Sequence, residues 1–354
     1  MKQSQYNGSR LTAHGSRDVI ADSLRGFAII LVVYAHVVLW FESSSIFLPR
    51  SIVVSKYIYS FHMPLMFMVA GYVHAMKERY SQPFMSFAKK YLVDIYLPCM
   101  YFSVLQIIIM LTVFSSSNPA NFGTVKPGEI YAIPFVGFKE YWFLAALFFV
   151  KIMHTFWECR TKHLQAVSVF WVVVFLTVPY LSKVSPLLLR DGISRMSMGL
   201  YFHVGFLLKR SGCLSRAGVW HGLVLLAAGF ACFAGGWNIP AGAAMSTSLA
   251  LFVVFYALKV NYAPLVTCGV YSMVIYCLHN WITAVFRLFS KITGLASSAS
   301  PVMLFVMCFP AAMLLPLVAV RLYKKVKAFR WLEYLFYPGK LFRSSGTAYT
   351  QQHR

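Results

Sequence analysis

Acid is scarce in this chain. Of 354 residues only ten are Asp or Glu, against 32 Lys and Arg, and charged residues make up 12% of the whole. A soluble protein of this length needs many more charges to stay in solution. With 59% apolar residues and a mean hydropathy of +0.65, the scarcity excludes a soluble domain and points to a polytopic membrane protein. Paired cysteines are also missing. The seven cysteines are scattered, mostly inside apolar runs, and none forms a Cys-x-x-Cys pair. That excludes a disulfide framework or a cysteine zinc site and leaves them as small core residues. The chain has no G-x-x-x-x-G-K-[ST] phosphate loop, no His-Glu-x-x-His and no Gly-x-Ser-x-Gly elbow. It shows no internal repeat or low-complexity tract. No apolar segment with a small-residue cleavage site precedes the first long apolar run, so no removable signal peptide is expected.

What is present is a series of apolar runs with basic clusters between them. Ten candidate spans lie near 26–47, 56–76, 91–114, 141–157, 164–182, 196–209, 218–235, 240–260, 266–287 and 301–323. The expectation is an all-α bundle of about ten transmembrane helices. Residues 1–24 would form a cytoplasmic tail, 25–323 the membrane domain and 324–354 a basic cytoplasmic tail. The longest loop is expected at about 115–140, which is rich in Ser, Asn, Gly and Pro. With the N-terminus inside, 23 of the 32 basic residues fall on inner segments and 9 on outer ones. Basic residues are held on the cytoplasmic side, so both termini are expected there. The net charge of +22 thus reflects topology and anionic headgroups rather than nucleic acid. The tail after Arg321 carries Trp331, Tyr334, Phe336 and Tyr337 and is expected along the inner membrane surface.

Polar side chains inside the spans are the candidate chemistry, because each is expensive in hydrocarbon. The first span contains Asp22, Arg25 and His36. Eleven residues separate Arg25 from His36, close to three turns, so they share a face about 16 Å apart along the axis. Asp22 and Arg25, at i and i+3, can pair. Arg suits phosphate through its planar fork, and a histidine deep in the same helix can accept a hydroxyl proton near neutral pH. The bland alternative makes Arg25 a mere boundary marker. In the second span His62 lies beside Pro64, which disturbs the helix and frees a carbonyl, so His62 is either a structural histidine bonded to that carbonyl or a site residue. In the ninth span Ser272, Tyr276 and His279 form a polar stripe that faces a cavity or a neighbouring helix. Asp94 reads as a local ion pair with Lys89 or Lys90, and His203 as an interhelical hydrogen-bond partner. Glu140 and Trp142 open the fourth span, where Trp suits an interfacial belt and Glu140 reads as solvated. His36, His62 and His279 lie on different spans with no carboxylate among them, so no metal is expected.

At these residues the chain resembles the integral-membrane acyltransferase-3 family, whose members acylate carbohydrates, lipids and other hydroxyl compounds. Asp22-Ser-Leu24-Arg25-Gly26 followed by His36 matches its first landmark. Phe61-His62-Met63-Pro64-Leu65 with Gly71-Tyr72 resembles the second, and Trp142-Phe143-Leu144 the third. Ser272, Ile275, Tyr276, Leu278 and His279 carry the fourth. The four landmarks stand in the family's order over residues 18 to about 323. The chain's length resembles the compact subgroup of bacterial surface-glycan O-acetyltransferases, similar to fucose 4-O-acetylase. Asp94 and His203 depart from the family pattern. The resemblance implies an acetyl-CoA donor as co-substrate and a glycan or lipid-linked sugar acceptor, in the bacterial inner membrane. Arg25 would hold the coenzyme, oriented by Asp22, with His36 as general base. His62, Trp142, Tyr276 and His279 would bind substrate. The rival reading from the residues is a transporter or flippase of a glycan intermediate, since mid-span polar groups also line substrate pathways. A non-catalytic partner in glycan synthesis is a third.

Overall fold

A backbone buried in lipid must satisfy its own hydrogen bonds, and apolar runs of this length do so as helices. A computed structural model describes residues 18–43, 49–76, 83–112, 125, 127–161, 163–185, 187–235 and 240–340. It is all-helical, with no strand among the described residues. Among the described residues, six helical stretches are long and apolar enough to cross a membrane: Val19–Leu39, Phe84–Thr112, Gly128–Arg160, Leu164–Val184, Ser272–Ile292 and Pro301–Lys325.

The site is built on five helices: α1 (Val19–Ser43), α2 (Pro49–Ala75), α6 (Trp142–Arg160), α9 (Met198–Ser211) and α13 (Ser272–Ile292). Between α2 and α6 run α3 (Phe84–Tyr91), α4 (Leu97–Thr112) and α5 (Pro127–Val136); α7 (Leu164–Val184) and α8 (Leu187–Arg195) precede α9. Then come α10 (Val219–Ala234), α11 (Pro240–Ala257), α12 (Ala263–Val270), α14 (Leu295–Ser298), α15 (Pro301–Lys325) and α16 (Trp331–Phe336). Helix α1 is the axial element and packs against α2, α11, α12, α13 and α15. Its start is fixed by Asp18, whose Oδ1 accepts from the Ala21 backbone N–H at 3.0 Å, an N-cap. The other oxygen of Asp18 accepts from Tyr256 Oη at 2.8 Å and Tyr72 Oη at 3.3 Å, joining α1 to α2 and α11.

Two crossings depend on glycine. A Cβ on Gly26 would stand 1.8 Å from the Leu265 carbonyl oxygen, so α1 and α12 lie backbone to backbone. A Cβ on Gly71 would meet the Phe202 carbonyl oxygen at 1.8 Å, and one on Gly205 the Met68 oxygen at 1.9 Å, which brings α2 and α9 equally close. Close small-residue contact of this kind drives helix association where lipid removes the hydrophobic difference.

The fold differs from the sequence-based expectation in five places. Helix α1 starts at Val19, so residues 19–24 are part of the first helix. The third run starts at Phe84 and passes through a π-turn, Leu92–Tyr96, that contains Asp94. The stretch expected as a loop contains α5, started by Pro127 in a favoured first-turn position and anchored where Tyr96 Oη donates to the Pro134 carbonyl at 2.9 Å; residues 113–124 and 126 of that loop lie outside the described residues. The ninth run breaks at Tyr271 into α12 and α13. Part of the expected surface tail also folds inward. Phe336 is buried and stacks on Phe102 of α4 at 5.6 Å between ring centroids, whereas Trp331 stays exposed.

Candidate active site

Arg25 and His36 point from one face of α1 into two separate cavities. The smaller, of about 160 Å³, is lined by Arg25, Val73, Phe143, Lys151, Ser272 and Tyr276 among others. The larger, of about 470 Å³, is lined by His36, Tyr59, His62, Trp142, Phe175 and Tyr201 among others. The consecutive residues Trp142 and Phe143, at the start of α6, therefore face opposite cavities. Tyr276 packs edge-on against Phe143 at 5.5 Å, and His279 contacts His36. The two cavities share no lining residue: the smaller carries Arg25 and Lys151 on a largely apolar wall, and the larger carries His36, His62 and several aromatic rings.

The hydrogen bonds around His36 fix its protonation pattern. His279 Nδ1 lies 3.1 Å from the Ile275 carbonyl and 2.8 Å from that of Tyr276. Both are acceptors, so Nδ1 carries the hydrogen and Nε2 is left with a lone pair. That lone pair is 3.3 Å from His36 Nδ1, which therefore donates; Asn280 Oδ1, also at 3.3 Å, is a second acceptor for the same hydrogen. A neutral His36 then has its lone pair on Nε2, and its ring, stacked parallel to Tyr59 at 6.1 Å, borders the larger cavity. This is the tautomer a general base requires. Tyr141 braces α13: Trp281 Nε1 donates to Tyr141 Oη at 2.6 Å, and that hydroxyl donates to the Cys277 carbonyl at 3.1 Å.

The expected residues sort as follows. Asp22 and Arg25 form the i, i+3 pair, at 3.4 Å, and Asp22 is buried. His62 lines the larger cavity, and its Nδ1 lies 2.8 Å from the Ile58 carbonyl, one turn back, while Pro64 frees the Ser60 carbonyl. His62 is thus both backbone-anchored and on the cavity wall. Tyr276 lines the smaller cavity and donates to the Glu140 backbone carbonyl. His279 is fully buried behind His36 and is on neither cavity's lining. His203 is an interhelical partner, 3.1 Å from His154 Nε2 and 2.8 Å from Ser168 Oγ. Asp94 lies against Gly339, where a Cβ would meet its carboxylate at 2.0 Å. Glu140 is not a solvated surface group: its carboxylate accepts from Gln106 Nε2 at 3.1 Å, and its backbone carbonyl holds Tyr276.

Sequence reasoning missed Asn280, Tyr59, Lys151, Tyr141 and Asp18. Asn280 directly follows His279, and its polarity in an apolar helix was a usable signal. Lys151 was visible only as a charge near the end of a span, with nothing to say that it shares a wall with Arg25.

Polar side chains of α1 thus line two cavities inside a helical membrane protein, Arg25 the smaller and His36 the larger. Residues 19–321 match the acyltransferase-3 profile, described as an acyltransferase domain, and the chain belongs to that family. It is a multi-pass membrane acyltransferase, and the transporter reading is not favoured. Among curated proteins and among solved structures no match is found.

Proposed function

We propose that the protein moves an acetyl group from cytoplasmic acetyl-CoA to a hydroxyl of a sugar on a lipid carrier or surface polysaccharide, in a bacterial inner membrane. The observation that carries this reading is His36, with its lone pair on Nε2, on the wall of the larger chamber, on the same face of α1 as Arg25 on the wall of the smaller one. The basic-residue asymmetry supports ten crossings with both termini inside, which puts Arg25 and Lys151 toward the cytoplasm. A chamber of 160 Å³ suits a thread-like pantetheine arm and not a nucleotide. Phosphates would stay at its mouth beside the two cations. The larger chamber is in the size range of ligand pockets and is aromatic-walled, with Trp142, Tyr59 and His62 available to a sugar.

In the proposed step the acceptor hydroxyl attacks the thioester carbonyl carbon. His36 Nε2 takes the hydroxyl proton as the C–O bond forms, and collapse of the tetrahedral intermediate breaks the C–S bond. The coenzyme thiolate leaves and recovers that proton. The imidazolium that forms on His36 is steadied by the His279 lone pair and the Asn280 oxygen, so His279 serves as a positioning residue rather than an acceptor contact. Asp22 holds Arg25, and Tyr276 sits beside the arriving acyl group.

Surface glycan from cells with and without the gene, compared by mass spectrometry, tests the reading. A gain of one acetyl unit that depends on His36 is expected, and the mass gain identifies the acyl group. An unchanged glycan mass with altered glycan export would overturn it in favour of a transporter. Arg25→Lys and Lys151→Ala are expected to raise KM for acetyl-CoA several-fold in membrane vesicles; an unchanged KM would reduce both to boundary charges.

A further inference from the structure

A second polar cluster lies outside the acyl-transfer site, at the end of the bundle where α2, α6, α7 and α9 meet. His154 and Glu158 stand at i and i+4 on α6 and so share a face, and His74 approaches them from the last turn of α2. Both histidines are buried, and the Glu158 side chain is 12% exposed. His74 Nε2 is 3.5 Å and His154 Nδ1 3.9 Å from the same oxygen, Glu158 Oε2. All three atoms lie within 4.8 Å of one another. Ligands held about 2.1 Å from a tetrahedral zinc are ~3.4 Å apart, so small side-chain movements bring this triangle onto a metal.

The outward atoms of the same three residues are each held by another group. Ser168 Oγ donates to the Leu164 carbonyl at 3.1 Å, so it accepts from His203 Nε2 at 2.8 Å. His203 Nδ1 then accepts from His154 Nε2 at 3.1 Å, which places the lone pair of His154 on Nδ1, toward Glu158. His74 Nδ1 is 3.4 Å from Tyr91 Oη, and a metal on Nε2 would put the ring hydrogen on Nδ1, donating to that hydroxyl. The other Glu158 oxygen, Oε1, lies 3.6 Å from Arg210 Nη2. Hydrogen bonds of this kind on the far side of each ligand fix tautomer and orientation in metal sites.

We infer that His74, His154 and Glu158 bind a divalent transition-metal ion, zinc by donor type and geometry, as a clasp between α2 and α6. Two imidazoles and one carboxylate suit zinc over magnesium or calcium, which prefer all-oxygen shells. The clasp lies directly behind the smaller cavity: Val73, beside His74, and Lys151, three residues before His154, both line it. The ion would fix the spacing of those two walls. The inference stands whether or not the acceptor is a sugar.

Metal analysis of the full chain purified in detergent tests it. About one zinc per chain is expected. A strong chelator should remove the zinc and lower the melting temperature, zinc should restore it, and cobalt(II) added to stripped protein should give the intense visible band of a tetrahedral site. His154→Ala and Glu158→Gln should lose the zinc, His203→Phe should weaken binding about 10–100-fold, and His221→Ala, an exposed histidine on α10, should keep it. Where His154→Ala does not accumulate, the stripped wild-type protein and Glu158→Gln carry the test. Only trace metal in the wild type, an unchanged melting temperature on adding zinc and an aqueous-type cobalt spectrum would leave a His–Glu–Arg ion-pair network and overturn the site. Wild-type zinc content in Glu158→Gln would overturn it equally.

Discussion

At the scale of single residues, the site turns on which nitrogen of His36 holds its proton. Two backbone carbonyls on α13 decide this through His279, so the two histidines have different proposed roles. His36→Ala is expected to abolish transfer, by at least the ~10²–10⁴-fold typical of a lost general base, while the protein still accumulates in the membrane. Normal turnover in that variant would exclude the role. For His279→Ala, kcat is expected to fall with KM for the acceptor unchanged, because the residue touches His36 and lines neither chamber. A raised acceptor KM at constant kcat would instead restore it to acceptor binding. Both histidines were legible in the sequence as costly groups in apolar runs. Their order, one at the cavity and one behind it, was not, because it depends on how α1 and α13 are rotated against each other.

Among elements, the family landmarks hold helices together as well as carrying polar groups. Gly26, next to Arg25, lets α12 lie against α1, and Gly71 lets α9 lie against α2. Tyr72, beside Gly71, reaches the Asp18 carboxylate that caps α1. Gly71→Leu drives a side chain into the Phe202 backbone and is expected to cost about 2 kcal/mol or more, as overpacking does. Gly218→Ala, whose Cβ would meet nothing nearer than His221 Nδ1 at 3.8 Å, should cost less, about 1 kcal/mol at most, for an alanine at the N-cap of α10. Thermal melts of the detergent-solubilised variants check the pair, and equal melting temperatures would show that the α2–α9 crossing yields freely. Helix existence was readable from apolar length. The break at Tyr271 and the helix inside the 115–140 stretch were not, because both helices are only eight to ten residues long and too short to give an apolar run of spanning length.

Taken whole, the molecule is a helical bundle with separate chambers at the two ends of one face of α1, and the proposed vectorial reaction depends on its orientation. Cys159 and Cys213 are exposed and fall at ends assigned to the cytoplasm. As single-cysteine variants in intact spheroplasts they are expected to resist a membrane-impermeant maleimide and to react after permeabilisation. Labelling from outside would invert the topology and remove the route for a cytoplasmic donor. The sequence by itself determined the membrane class, the helical fold, the family and the shared helix of Arg25 and His36, because hydropathy, charge asymmetry and a three-turn spacing are local properties of a chain. Only the tertiary structure decided that the two residues open into different chambers, that His279 backs His36, and that His74 converges on His154 and Glu158. Those outcomes come from helix rotation and close approach between segments up to about 240 residues apart in the chain, set by contacts such as Gly26 on Leu265 that no local pattern encodes.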